Sequence, residues 1–316
     1  MKYYIGVDIG GMSIKAGVVD ECGNIIVKES CHTDADRSYQ EIIKSMFELC
    51  LAVVEKAGLK KEDISGVGIG SPGTVNSKKG VINYSGNLHF KKVNVIKEFQ
   101  KHWNIRSYIG NDANCAALGE TIFGAGKGKQ NAILITLGTG IGTGFIVDGK
   151  ILEGKNGEGA EGGHICIKMG GEQCTCGERG CWEAYASATG LIRQTKQAIE
   201  KNPDSLMKQI AESHGKVSGR TAFLAASQGD KAATAVVRKY VKYVATGLLT
   251  LVNIFRPEVI MVGGGISNEG DYFVAMVEKY VRKHAFGGKL NTVPPIVRAS
   301  LGNDAGIVGA AALAIC

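Results

Sequence analysis

The chain has 316 residues and a mass of 33.4 kDa, which at roughly 150 residues per domain predicts about two domains. Hydrophobic residues at 44% and charged residues at 21% are ordinary for a globular protein and exclude wholesale disorder or a collagen-like fibre. The net charge of +7 comes from scattered lysines and arginines with no basic arm, so nucleic acid is not an expected partner.

No stretch approaches the roughly 18 uninterrupted apolar residues that a membrane helix needs. The opening MKYYIGVDIGG has no apolar signal core and carries Asp8 too early for one. The expectation is a cytoplasmic, enzyme-sized protein with no membrane partner and nothing to be cleaved. There are 45 glycines where average usage of roughly 7% would give about 22. The excess predicts many positive-φ positions or close backbone approaches.

In chain order, YYIGVDIGG, SIKAGVVD and NIIVKES read as strands, with hairpin signals at Gly10-Gly11 and Gly23-Asn24. Residues 37–57 carry helical periodicity through Ile42, Ile43, Met46, Leu49 and Val53, ending at Gly58. A buried strand at 67–70 stops at Ser71-Pro72-Gly73. A helix near 94–102 and a strand at 105–109 lead to NDANCAALGE, a loop entering a helix.

Residues 131–147, NAILITLGTGIGTGFIV, repeat the strand, glycine turn and strand of residues 3–19 about 130 positions later, which suggests a duplication. Helices follow at 182–199, 219–227 and 230–255. Then come the strand EVIMVGG, a helix near 271–283, a strand at 296–300 and a closing helix at 305–315. Strands and helices mix in both halves, so the predicted class is α/β. The predicted domains are 1–118 with 304–316, and 119–303.

Two glycine turns are the first chemical signal. Asp8-Ile9-Gly10-Gly11-Met12-Ser13 joins two strands, and Gly138 to Gly144 does the same in the second half. Glycine lets backbone N–H groups approach an anion with no Cβ in the way. The hydroxyls of Ser13, Thr139 and Thr143 add donors. Asp8 is a carboxylate in a site otherwise built for anions, which fits a cation such as Mg²⁺ between it and a phosphate. Neither turn is a Walker A loop, and neither is a dinucleotide fingerprint, because a strand follows each. Gly263-Gly264-Gly265 ends a later strand, where an open α/β sheet places ligands and an adenosine could lie flat.

Nine cysteines without an export signal argue against a disulfide framework. Cys22, Cys31, Cys50, Cys115 and Cys316 are dispersed and read as packing residues. His164 and, ten residues on, Cys174, Cys176 and Cys181 supply one imidazole and three thiolates, a full tetrahedral Zn²⁺ set with no open position, hence structural. Gly177 and Gly180 let the loop fold around the ion. Cys166 is an alternative ligand, sharing a strand face with His164.

With these motifs the chain resembles the bacterial ROK sugar kinases, most closely the glucokinases of that family, over essentially its whole length. DIGG…K at 8–15 is similar to the family's first phosphate motif and LGTGIGTG at 137–144 to its second. EGGH at 161–164 and CTCGERGCWE at 174–183 are similar to its zinc motif. The resemblance implies the actin/hexokinase-like ATPase fold, two α/β domains around a cleft, with His164, Cys174, Cys176 and Cys181 on structural zinc. It implies an ATP–Mg²⁺ site of Asp8, Gly10, Gly11, Lys15, Gly138, Thr139, Gly140, Gly264 and Gly265. It implies a sugar site of Gly73, Asn87, Asn111, Asp112, Glu161, His164 and Glu183, and a homo-oligomer, dimer or tetramer. Met12 stands where the family usually has threonine, which leaves the hydroxyl at that turn to Ser13. Cys166 stands where it commonly has an apolar residue.

Phosphoryl transfer needs a carboxylate to accept the acceptor's proton. Asp112 follows Asn111 and opens a helix whose dipole should keep it ionised. On its residues alone it reads equally well as an N-cap; the resemblance makes it the base. Glu161, His164 and Glu183 would read sugar hydroxyls, carboxylates accepting hydroxyl pairs and His164 using the ring nitrogen that zinc leaves free. The expected reaction is ATP-dependent phosphorylation of glucose. Alternatives are N-acetylmannosamine, fructose, allose or a β-glucoside as acceptor, a sugar-independent ATPase, and a sugar-sensing regulator. The last would carry a winged-helix domain ahead of the first hairpin, which here begins at Tyr3.

Overall fold

The computed structural model describes residues 1–316, apart from the side chain of Lys289. In chain order the strands and helices are β1 Tyr3–Ile9, β2 Ser13–Asp20, β3 Ile25–His32, α1 Tyr39–Lys56, β4 Ile64–Ser71, β5 Thr74–Asn76, β6 Val81–Ser85, β7 Phe90–Asn94, α2 Val95–Gln100, β8 Ser107–Asn111 and α3 Asp112–Ile122. The second half holds β9 Ala132–Leu137, β10 Ile141–Val147, β11 Lys150–Ile151, α4 Trp182–Ala186, α5 Ala188–Lys201, α6 Leu206–Ser213, α7 Thr221–Ser227, α8 Lys231–Phe255, β12 Val259–Gly263, α9 Asp271–His284, β13 Ile296–Arg298 and α10 Ala305–Ile315. The class is α/β, as the pattern predicts. No described helix is long and apolar enough to cross a membrane.

The chain packs as two units. The first holds residues 1–134, 144–160 and 300–316; the second holds 135–143 and 161–299. One five-stranded sheet has the order β3-β2-β1-β4-β8 and the other β11-β10-β9-β12-β13. Strand for strand the two orders correspond, in line with the repeat of the glycine turns. In the first sheet β3, β2 and β1 are antiparallel, while β1, β4 and β8 run parallel. The C-terminal ends of these three parallel strands lie on one edge, with Asp8 opposite Gly70 and Ser71 opposite Asn111.

In the first unit α1 starts on a capping box, Ser38 with Glu41, and buries the stripe Ile42, Ile43, Met46, Leu49, Cys50, Val53 and Val54. On the sheet's other side α10 packs on β1, β4 and α3. Its sequence AGIVGAAALAI presents small side chains, and Gly6 and Gly68 on the strands lie under its backbone. A Cβ on either glycine would collide with the Ile307 or Ala310 carbonyl. The close approach accounts for two of the excess glycines.

In the second unit α8 buries a stripe from Ala233 to Val252, and Asp230 caps it through the Ala233 N–H at 2.8 Å. Gly247 makes room for the Trp182 ring, which is fully buried and donates its indole N–H to the Tyr243 carbonyl at 2.9 Å. This fixes α4. The single helix expected over 182–199 is two, because Ser187 adopts an extended backbone (ψ 167°) and caps α5 by accepting the Gly190 N–H at 3.0 Å. The small sheet β5-β6-β7 and the helix α6 have no counterpart in the sequence reading. Helix 94–102 shortens to Val95–Gln100, and the strand expected at 105–109 lies at Ser107–Asn111.

Candidate active site and metal centre

In the first unit the expected residues gather at the C-terminal edge of β1, β4 and β8, where an open α/β sheet binds ligands. Asp8, one residue before the end of β1, pairs with Lys15, whose Nζ lies 3.9 Å from the Asp8 carboxylate. Gly306, in the first turn of α10, sits so close to Asp8 that a Cβ there would lie 2.6 Å from Oδ2. The Asp8 carboxylate therefore faces the N-terminal, electropositive end of α10. The glycine turn closes through Gly10 N–H to the Ser13 carbonyl at 2.9 Å, and the Thr33 hydroxyl holds the Gly10 carbonyl at 2.6 Å. Ser13 is partly buried there, and the Met12 side chain is 86% exposed. Gly11 packs on Asn87, with a hypothetical Cβ only 3.1 Å from the Asn87 carbonyl.

Asn111 ties the next two strand ends together. Its Oδ1 accepts the N–H groups of Ala113 at 2.9 Å and Asn114 at 3.1 Å, and its Nδ2 donates to the Gly73 carbonyl at 3.1 Å. Asn111, not Asp112, is thus the N-cap of α3. Asp112 takes the first helical position, and its Oδ1 accepts the Ala113 N–H at 2.8 Å. The expectation that the helix dipole keeps this carboxylate ionised meets an opposing influence. Burial pushes the Asp112 carboxyl above its ordinary value, against the opposing pull of the Ala113 N–H and the Asn111 side chain. Burial likewise raises Asp8, Lys15 opposes, and the charge of Asp112 adds to the rise, so the two carboxylates are electrostatic neighbours.

In the second unit the glycine turn closes by Gly138 N–H to the Gly140 carbonyl at 3.0 Å. The Thr139 carbonyl accepts the Thr189 hydroxyl at 2.8 Å, and Ala188 N–H bonds the Gly138 carbonyl at 2.8 Å. Gly264, at φ +81°, lies on the backbone of Leu137, and Gly265 has open space around it. Gly138, Thr139, Gly140, Gly264 and Gly265 are thereby neighbours at the ends of β9 and β12.

Glu183 sits beneath this turn. Its Oε2 accepts the Ile141 N–H at 2.8 Å and fills the space where a Gly140 side chain would go. Its Oε1 accepts the Thr175 hydroxyl at 3.1 Å, with Cys174 Sγ at 3.8 Å. Both oxygens are engaged by the protein, leaving their further lone pairs for a ligand. Thr175 carries no sequence signal of this role; only its position between two cluster cysteines hints at it. Glu161 precedes the 3₁₀ turn Gly162–His164, which the Thr143 hydroxyl anchors by accepting the Gly162 N–H at 2.9 Å.

His164, Cys174, Cys176 and Cys181 bring their ligand atoms within 4.8 Å of one another. Zn–S bonds of ~2.3 Å in a tetrahedron imply S···S edges of about 3.8 Å and slightly shorter S···N edges. Cys176 and Cys181 Sγ atoms lie 3.6 Å apart, and Cys174 Sγ lies 3.7 Å from His164 Nδ1. The set fits one Zn²⁺, with Nδ1 of His164 inward. Burial pushes the Cys181 thiol up to about 12, and backbone hydrogen bonding at Glu178 lowers Cys176. Metal uptake by such thiols releases protons. Cys166 is exposed and outside the group, and His164 lies in a 3₁₀ turn, so the shared strand face expected of the two is absent.

The ROK family model matches residues 4–316. The chain belongs to the ROK family. A glucokinase of Streptomyces coelicolor is 38% identical to it over 99% of this chain and 98% of its own. A glucokinase of Thermotoga maritima is 36% identical over 98% and 96%. A solved ROK family glucokinase from Streptomyces griseus, in complex with glucose and AMPPNP, superimposes with a TM-score of 0.84 at 35% identity, covering 98% of both chains. The hexokinase-like fold expected from the motifs is therefore that of this family.

Proposed function

We propose that this ROK chain transfers the γ-phosphoryl group of ATP to the 6-hydroxyl of a hexose, with glucose the preferred acceptor. The reading is supported by relatives named glucokinase across the full length and by a glucose- and AMPPNP-bound relative of the same fold. The single observation that carries it is the electrostatic pairing of two part-buried carboxylates, Asp8 near the end of β1 and Asp112 just after β8, the two strands that flank β4, beside a glycine turn and Lys15.

In this reading Asp112 is the general base. As the hydroxyl oxygen bonds to the γ-phosphorus and the bond to the β-phosphate oxygen breaks, the hydroxyl proton passes to the Asp112 carboxylate. A pKa raised by burial suits a group that must gain a proton near neutrality. Asn111 orients Asp112 and the Gly73 loop. Gly73, Asn87 and Asn111, with Glu161, His164 and Glu183, would hold the sugar hydroxyls. Ser13, Gly10, Gly11, Gly138, Thr139, Gly140, Gly264 and Gly265 would hold ATP through backbone N–H groups and hydroxyls. Asp8 would hold Mg²⁺, which neutralises phosphate charge when bound. Structural Zn²⁺ on His164, Cys174, Cys176 and Cys181 would keep rigid the loop bearing Thr175 and the start of α4 bearing Glu183.

A coupled assay over glucose, N-acetylmannosamine, fructose, allose and a β-glucoside tests the reading. ATP-dependent phosphorylation with the highest kcat/KM for glucose is expected. Another preferred sugar moves the acceptor. ATP turnover indifferent to sugar, or operator binding without turnover, overturns the kinase reading.

A further inference from the structure

The first unit carries a cavity of about 790 Å³ that the kinase reading does not use. Helix α2, strand β7 and the segment leading into α1 form its walls. Five lysine and arginine cations border it, Arg37, Lys91, Lys92, Lys97 and Lys101, against the two carboxylates Asp36 and Glu98. Glu98 is already taken by Lys101 at 2.6 Å, and Arg37 is spent on the Thr33 carbonyl at 2.7 Å and the Ser45 hydroxyl at 3.2 Å. Among the described residues no carboxylate lies within ion-pair range of Lys91, Lys92 or Lys97.

The backbone adds an independent observation. Successive residues of a strand face opposite ways, so Lys91 and Lys92 should not border one cavity. Lys92 breaks the alternation with a φ of +52° inside β7, and Lys91, Lys92 and Val93 all border the cavity. A left-handed conformation at a non-glycine residue within a strand costs stability, and such strain clusters at ligand-binding sites. Tyr39 and Phe90, edge to face at 6.4 Å, give the same cavity an apolar wall. Its volume is in the range of sites for small organic ligands.

We propose that this cavity binds a small phosphorylated metabolite carrying at least two negative charges, held by Lys91, Lys92 and Lys97. None of the residues bordering this cavity is assigned a role in the kinase reading, so the proposal does not depend on it.

The test uses the full chain and tripolyphosphate in calorimetry at low salt without divalent cations. A Lys15→Gln background weakens anion binding at the glycine turn. In that background tripolyphosphate should bind, and adding Lys91→Gln, Lys92→Gln and Lys97→Gln should weaken binding at least ten-fold. Lys92→Gly alone should raise the melting temperature by relieving the backbone while weakening tripolyphosphate binding, a combination that a merely structural lysine would not give. Undiminished binding in the multiple variant overturns the proposal, as does no millimolar binding in the Lys15→Gln chain. Should the multiple variant not fold, Lys92→Gly decides: higher stability with unchanged affinity also overturns it.

Discussion

The Glu183 carboxylate joins the second glycine turn to the cysteine loop, accepting the Ile141 N–H at 2.8 Å through one oxygen and the Thr175 hydroxyl at 3.1 Å through the other. Hydrogen bonds to a charged group contribute about 1.5–3 kcal/mol each when one partner is removed. Glu183→Ala should lower stability by that order and raise the KM for ATP, because the turn loses its support, while zinc content stays at one ion per chain. Glu183→Gln keeps an acceptor for Ile141 and should recover most of the stability. Thermal unfolding with steady-state kinetics reads both; an unchanged ATP KM in the alanine variant would detach the turn from Glu183.

Asp112→Asn should cut kcat by at least the ~10²–10⁴-fold that a general base contributes, with glucose affinity largely kept. It should also raise stability at neutral pH. The folded-state carboxyl is raised by burial, so ionisation disfavours the fold once pH climbs from the ordinary aspartate value of about 3.9 through the raised one. Below that window both states are protonated, and the variant's advantage should vanish. Melting curves across pH check the sign; a variant less stable at pH 7 and equal at low pH would refute the burial account.

Cys176→Ser should lose the bound zinc, lower stability and weaken sugar binding, since Thr175 sits on the same loop and Glu183 in the helix that Cys181 opens. Cys166→Ala should keep its zinc, because its thiol lies outside the ligand group. Elemental analysis separates them. Zinc-free wild type, or zinc loss in Cys166→Ala, contradicts the assignment.

Met12→Thr should leave stability within about 0.5 kcal/mol, as expected for an exposed side chain. The Met12 contact seen in the turn is made by its carbonyl, which accepts the Thr33 N–H at 3.1 Å whatever the side chain. ATP binding should be unchanged or tighter; a large rise in KM would show that the thioether itself matters.

Much of this was legible in the chain because the signals are local. The strand–turn–strand pattern, the stripe of α1 and the spacing of Cys174, Cys176 and Cys181 each lie within a few turns of sequence. The miss at Ser187 has a local cause too: a serine can continue a helix or cap the next one, and burial of Trp182 against Gly247 selects the second. The short strands β5, β6 and β7 escaped because three to five residues with lysines and asparagines show little alternation.

By itself the sequence determined the α/β class, the repeat of two glycine turns, the candidate metal ligands, with Cys166 still among them, and the list of candidate carboxylates, since each is written in residue type and short spacing. Only the tertiary structure decided that Asn111 rather than Asp112 caps α3, that burial raises Asp112 despite the helix N-terminus, and that Glu183 reaches Ile141. Those outcomes depend on desolvation and on contacts between residues far apart in the chain, and neither quantity is carried by the order of amino acids within any one segment.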